Sequence, residues 1–395
     1  MAKEFLISLY LLFFKILFNI FKLFPLKKKV TFVVSFKDNG LFVYNEMKKQ
    51  QIPYNVVFLC EQSCYKEIEQ NVNTDVILLN LKNIIPCIYH LATSKQIIID
   101  NYFAFLSSVN FKKNVQCIQL WHAAGAIKTF GLKDKSVSSR PKRALKRFNR
   151  VYNQFKKIIV GSDEMAYIFK EAFNVSESNI LYTGIPRTDL FFDKKNQYNI
   201  RNELIFNNPI LKNKKVIFYA PTFRDGELNR FKLHLDIDKL YSAFSKEYVV
   251  LIKLHPAIKN NLTLDKKYNG FLFDYSTYDN VNKLLFITDY LITDYSSIPY
   301  EFSLLERPMI FFPYDLETYQ QQRGFWGPYE DIVPGPIAMN TEEIINIIRS
   351  NDFDFERIRT FSLNWNKYSR GNSSENLVRY LFQEEEHAVQ KEKFY

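Results

Sequence analysis

The chain has 395 residues, 47% of them hydrophobic and 24% charged, a globular composition with room for two domains and two substantial cores. A net charge of +11 and a pI near 9.1 imply an anionic partner: nucleic acid, a membrane surface or a phosphorylated substrate. Of the four cysteines, only Cys60 and Cys64 lie close together, and no histidine is near that pair. Neither a zinc site nor a disulfide framework is indicated, and free thiols in a reducing compartment are expected.

The first element is the apolar segment Phe5 to Phe24, whose polar residues Glu4, Ser8, Lys15, Asn19 and Lys22 are spaced by 4, 7, 4 and 3. At about 100° per residue they fall within an arc of about 60° on one helix face. A helix lying in a membrane interface explains that alignment better than one crossing the bilayer, although about 20 residues could span it. The absence of a small-residue cleavage site argues against a signal peptide, and a buried core helix is the plain alternative. Lys27, Lys28 and Lys29 then offer charge to anionic headgroups.

From Val30 onward short β-rich runs alternate with helical stretches. The expected strands are 30–36, 55–60, 75–79, 96–100, 115–121 and 157–161. A second set comprises 215–220, 248–254, 270–273, 290–293 and 308–312. Near-continuous apolar runs mark strands buried on both faces, hence parallel sheets. The polar stretch Asp193–Asn213 reads as a linker, and three helical patterns after Asn340 close the chain. The architecture expected is α/β: residues 1–29 an amphipathic membrane helix with a basic flank, 30–192 one Rossmann-type doubly wound domain, 193–213 the linker, and 214–395 a second such domain. Ligands are expected at the carboxyl ends of the strands, in the cleft that the domains face.

Five clusters follow predicted strands. His122 heads small residues in Trp121–Gly125, which would let backbone and substrate approach closely. Arg187 follows Pro186, and suits bidentate phosphate contact or a helix-start salt bridge. Pro221, Thr222 and Arg224 end another strand in a turn, and alternation puts Lys253 and His255, flanking Leu254, on one side of a strand end. In Thr293–Ser297, Ser296 and Ser297 open a helix, where hydroxyls and backbone N–H groups suit a phosphate; Asp294 would fix that turn or meet a hydroxyl. Each cluster alone also has a purely structural reading. Together, cationic and hydroxyl side chains around one cleft describe a site for a diphosphate and its transfer. Carboxylates for a metal are sparse, Asp294 and Glu301 being the nearest, so cationic groups and helix dipoles are expected in place of a metal, and no cofactor.

Taken in order, WHAAGAIKTFG, GIPRTD, YAPTFRD, LIKLHP, ITDYSS with ERPMIFFPYDLETY, and RGF…PGP, over about residues 118–337, resemble the CDP-glycerol glycerophosphotransferase family of teichoic-acid synthesis. The resemblance implies a GT-B fold, a CDP-alcohol donor, CMP as leaving product and a peripheral location on the cytoplasmic face of the membrane. His122 resembles the family's essential N-domain histidine. Arg187, Pro221, Thr222, Lys253 to His255, Ser296 and Ser297 match donor-contacting positions. Glu301 stands where polymerases usually have Asp, at the position implied to meet the glycerol hydroxyls. WHAAGAIK departs from the WHGTPLK of polymerases and looks more like the family's priming members, which add the first glycerol phosphate to the disaccharide on undecaprenyl diphosphate.

The mechanism expected is attack of an acceptor hydroxyl on the glycerol-bearing β-phosphorus, with His122 as general base. His255, with Lys253, Arg187 and the Ser296/Ser297 helix end, would hold the diphosphate and stabilise the departing CMP. The segment Lys128–Lys157 carries eleven Lys and Arg against one acid, Asp134, and reads as an exposed loop followed by a helix. Its residues Lys142, Arg143, Lys146 and Arg147 fit a patch for lipid and acceptor phosphates, a solvated helix face being the alternative. Nucleic acid is not expected, because aromatic–basic interleaving is missing. Competing functions are a glycerol- or ribitol-phosphate polymerase, a sugar transferase using a nucleotide sugar, or a non-catalytic basic surface-binding protein.

Overall fold

The computed structural model describes residues 2–229, 231–258, 262–278 and 280–392. Two compact units form, one from Met1–Ala124, Phe130–Asp189 and the chain from Lys367 onward, the other from Gly125–Thr129 and Leu190–Asn366. In the first, seven strands make one parallel sheet: β1 (Lys27–Val34), β2 (Asn55–Cys60), β3 (Asp75–Leu78), β4 (Ser94–Ile99), β5 (Gln116–Gln119), β6 (Lys157–Ile159) and β7 (Ile180–Leu181), in the order β3-β2-β1-β4-β5-β6-β7. The second holds five: β8 (Lys215–Ala220), β9 (Tyr248–Ile252), β10 (Leu272–Asp274), β11 (Tyr290–Thr293) and β12 (Met309–Phe311), in the order β10-β9-β8-β11-β12 and again parallel. The chain winds outward from β1 one way and from β4 the other, and likewise from β8 and β11. Each sheet therefore has one topological switch point, where ligands of such folds bind.

The apolar runs form strands because both faces of each sheet are covered: every residue of β9 is buried, as is β1 from Lys29 to Val34. All four cysteines are buried and free.

Four expectations about organisation change. Asp193–Asn213 is no linker: Lys194–Asn207 is an α-helix, Asp193 accepts its Asn196 N–H at 3.0 Å, and Ile200 and Leu204 are buried. One apolar pair at i and i+4 is enough to dock a helix whose other faces stay polar. The closing helix Ser373–Glu392 returns to the first unit, where Asp189 accepts from the backbone N–H groups of Ser373 and Ser374 at 2.9 and 2.8 Å. The N-terminal helix, Ala2–Phe21, is part of that unit too. Phe14 (2% exposed) stacks on Phe105 at 5.0 Å, and Phe18 (1%) meets Phe111 edge-on at 5.7 Å. Its Phe5, Leu6, Leu9, Leu12, Phe13, Ile16 and Ile20 are nonetheless exposed. Lastly, Lys29 does not belong to a headgroup-facing flank. It lies buried in β1, donating to Thr93 Oγ1 at 2.8 Å beside His90 Nδ1 at 3.1 Å, and burial lowers its pKa to about 8.

The small residues after His122 serve packing. A Cβ on Gly125 would stand 2.3 Å from the ring of the buried Tyr300, which stacks on Phe361. Gly125→Ala is therefore expected to destabilise the second unit by about 1–3 kcal/mol through overpacking, read as a lower urea midpoint. Gly226→Ala, whose added Cβ meets nothing within 4 Å, should leave that midpoint in place.

Candidate active site

In the first unit Asp100 ends β4 at the switch point, beside the end of β1. Its carboxylate accepts the backbone N–H of Ser35 (2.9 Å to Oδ1) and of Phe36 (2.9 Å to Oδ2), tying the loop after β1 to the neighbouring strand. The carbonyl of the same residue lies 3.1 Å from His122 Nδ1. A carbonyl only accepts, so Nδ1 carries the proton and the neutral ring keeps its lone pair on Nε2. Phe36 stacks on the His122 imidazole at 4.4 Å and 19°, and Trp121 stacks on it at 4.3 Å and 29°. Burial lowers the His122 pKa to about 4, with the charge of Arg187 acting in the same direction and the Asp100 carbonyl against it.

The turn that presents His122 is strained. Trp121 adopts a left-handed backbone, φ 57°, which costs a bulky residue energy and persists only when its surroundings enforce it. Here Gln119 Oε1 accepts the Trp121 N–H at 2.8 Å, and Asn39 Nδ2 donates to the Trp121 carbonyl at 2.9 Å. Asn39 Oδ1 in turn accepts the Arg187 N–H at 3.0 Å, while Arg187 Nη1 donates to the His122 carbonyl at 2.7 Å. Arg187, expected on a phosphate, thus grips the backbone of the histidine.

In the second unit Asp294 plays the corresponding part at the end of β11. Its Oδ1 accepts from Thr222 N at 2.8 Å and Tyr295 N at 2.7 Å, and its Oδ2 accepts from Arg224 Nη1 at 2.9 Å. Of the alternatives for Asp294, fixing the turn is the one realised. Arg224 completes a bidentate pair with Asp315 (2.8 and 2.7 Å), donates to the Thr222 carbonyl, and lies 4.7 to 5.0 Å from the ring centres of Tyr295, Tyr314 and Tyr319. Every guanidinium nitrogen is engaged by protein, so Arg224 is a strut here and not the phosphate ligand expected. Thr222 differs: its hydroxyl is buried with no partner among the described residues, a group that a ligand oxygen would satisfy.

His255 follows β9. Its Nδ1 accepts the Ala257 N–H at 3.1 Å, so the proton of the neutral ring sits on Nε2, the opposite arrangement to His122. Packing around the ring, against Phe223 at 4.6 Å, and then the charges of Lys128 and Lys253 lower its pKa to about 4. Lys253 Nζ donates to the carbonyls of Ser276 (3.2 Å) and Tyr278, and the Leu254 N–H to Ser276 Oγ at 3.0 Å. These two residues hold the loop after β10. The helix that Ser296 and Ser297 open is short: Ile298–Phe302 has five residues, and Ser296 Oγ accepts the Ile298 N–H at 3.1 Å. With so few aligned peptides the dipole at its start is weak. Pro221 is buried beneath the same strand ends, and Glu301 is 1% exposed inside the unit.

On the basic helix, Lys142–Tyr152, the side chains of Lys142, Arg143 and Lys146 are exposed, while Ala144, Val151 and Tyr152 are buried. Arg147 is committed elsewhere, paired bidentately with Glu4 of the N-terminal helix at 2.8 and 3.1 Å. Among the described residues no group of three or more His, Cys, Asp or Glu side chains is placed to hold a metal. Sequence reasoning missed Asn39, Phe36 and Asp100. The last had a signal, an acid closing the apolar run QIIID.

Residues 16–383 match the family model for CDP-glycerol:poly(glycerophosphate) glycerophosphotransferase. The chain is 40% identical over 359 residues to a teichoic acid glycerol-phosphate primase of Bacillus subtilis (strain 168), covering 90% of this chain and 92% of that one. It is 34% identical to a teichoic acid poly(ribitol-phosphate) polymerase of Bacillus spizizenii, covering 98% of this chain and 62% of the polymerase. The structure of the wall teichoic acid polymerase TagF superposes with a TM-score of 0.80 at 25% identity, covering 98% of this chain and 99% of that one. An S. aureus MnaA–UDP structure shares the fold at TM-score 0.55, 13% identity and coverage of 90% and 96%. The chain belongs to the CDP-glycerol:poly(glycerophosphate) glycerophosphotransferase family.

Proposed function

We propose that the enzyme transfers glycerol phosphate from CDP-glycerol to a hydroxyl of a polyprenyl-diphosphate-linked disaccharide, a priming step of teichoic-acid synthesis. The observation that carries this reading is the pair of histidines held in opposite tautomers by backbone partners. His122 offers an unprotonated Nε2 and takes the proton of the attacking acceptor hydroxyl. The new O–P bond forms at the glycerol-bearing β-phosphorus as the bond to the CMP oxygen breaks, and CMP leaves with that electron pair. His255 offers an Nε2–H, a hydrogen-bond donor to the phosphate oxygen on which charge accumulates. Thr222, Ser296, Ser297 and Lys253 line the strand ends that would seat the diphosphate. The 40% identity to a primase and the WHAAGAIK variant support the priming step over polymerisation.

The N-terminal helix supports a membrane-surface location in this reading. Its packed face, with Phe14 and Phe18, ties it to the protein, and its outer apolar face is left exposed among the described residues. Lys142, Arg143 and Lys146 stand on the helix that Arg147 links to Glu4, so charge and apolar surface are adjacent. Replacing Leu9, Leu12, Phe13 and Ile16 with Ser should abolish binding of the full chain to vesicles containing anionic lipid, leaving CMP release with a soluble acceptor analogue intact. Undiminished vesicle binding would remove the helix from that role.

The reaction itself is tested by CMP release and product mass with CDP-glycerol and a synthetic lipid-linked disaccharide. One glycerol phosphate per acceptor is expected, and release only with a nucleotide sugar would overturn the assignment. In that assay His122→Ala should lower kcat/KM by about 10²- to 10⁴-fold. Because the His122 pKa is lowered to about 4, the ring is neutral throughout the physiological range. The wild-type rate should show no step near pH 6.5, and its acid limb should appear only as acid protonates Nε2 below about pH 5.

A further inference from the structure

The segment that follows His122 in the chain belongs to the second unit. Lys128 forms an antiparallel bridge with Phe325, Thr129 N–H donates to the Gly324 carbonyl at 3.1 Å, and Trp326 N–H donates to the Ile127 carbonyl at 3.1 Å. This fixes Lys128 beside the strand-end network, where the charged groups facing it are Asp294, Arg323, Arg224, Asp225 and His255. Both acids are already occupied. Asp294 is shared among Thr222, Tyr295 and Arg224, and Asp225 takes Arg323 Nη2 at 2.7 and 2.6 Å. Among the described residues no hydrogen bond or ion pair holds the Lys128 ammonium.

A partly buried cation set among other cations, with every nearby carboxylate taken, is costly to keep unless an anion completes it. Burial lowers the Lys128 pKa to about 8; the charges of Asp294 and Asp225 oppose the fall, and those of Arg323 and Arg224 reinforce it. The orphaned hydroxyl of Thr222 belongs to the same strand ends, its own N–H bound by Asp294. A diphosphate would supply both the charge that Lys128 lacks and the acceptor oxygen that Thr222 lacks.

We propose that Lys128 is a phosphate-binding residue of the second unit, contacting the diphosphate of the nucleotide substrate together with the Thr222 hydroxyl. The proposal rests on the glycerophosphotransferase reading for the identity of that substrate, but not for the anion site itself. In the sequence the residue reads only as the start of the basic segment Lys128–Lys157, and the motif WHAAGAIK draws attention to its histidine.

The test uses the full chain, with Lys128→Gln and Lys128→Arg. Lys128→Gln should raise KM for CDP-glycerol by about 10- to 100-fold, the loss expected for one charge-assisted hydrogen bond, with a matching loss of affinity for inorganic pyrophosphate by calorimetry. The wild-type kcat/KM should fall above about pH 8 as the ammonium deprotonates. Lys128→Arg, charged at every pH measured, should fold, retain most affinity and lose that basic limb. A KM within about twofold of wild type in Lys128→Gln, or a basic limb unchanged in Lys128→Arg, would overturn the proposal and leave the family reaction untouched. Lys128-dependent pyrophosphate binding without turnover of CDP-glycerol would uphold the site and refute the substrate instead.

Discussion

A carboxylate at the switch point of each sheet holds the backbone of the neighbouring strand. Asp100, one residue past β4, accepts N–H groups from the loop after β1, and Asp294, one residue past β11, accepts the Thr222 N–H after β8. Parallel strands diverge at such a point, because the connections on either side run in opposite directions, so their terminal N–H groups lose ladder partners. A buried carboxyl group accepts those N–H groups and pins the divergence; at Asp100 burial raises the pKa to about 8, with the Ser35 and Phe36 N–H groups opposing the rise. His122 is held by the first pin, through the Asp100 carbonyl, and Thr222 by the second.

Fixing the backbone in turn sets the protonation of the side chains. The Asp100 carbonyl can only accept and the Ala257 N–H can only donate, so two imidazoles of equal intrinsic chemistry are held in opposite tautomers. Their lowered pKa values keep both rings neutral, the state that the proposed base and the proposed hydrogen-bond donor require at one pH. Arg187 and Arg224 act as struts within their own units. One holds the His122 carbonyl, and the other ties Asp294 to Asp315.

Much of the fold was legible in the residues, for a physical reason. Strands buried on both faces need continuous apolar runs, and runs such as VTFVVSF and YLIT can be little else. The clusters at strand ends were legible as well, because polar and small residues interrupt those runs where the sheet stops. What remained hidden depends on partners distant in the chain. A guanidinium reads the same whether it meets a phosphate or two aspartates, as Arg224 does, and a lysine in a basic run reads the same whether exposed or buried, as Lys29 is. The polar stretch before β8 hid a helix because Ile200 and Leu204 alone dock it. Asp100 was passed over since its side chain and its carbonyl act on different residues, which no local pattern records.

The account stands on the tautomers of His122 and His255, and nitrogen NMR of the imidazoles in the full chain reads them directly. At pH 7 two neutral rings are expected, His122 protonated on Nδ1 and His255 on Nε2, assigned through their single Ala variants. A cationic His122, or the same tautomer at both positions, would contradict it.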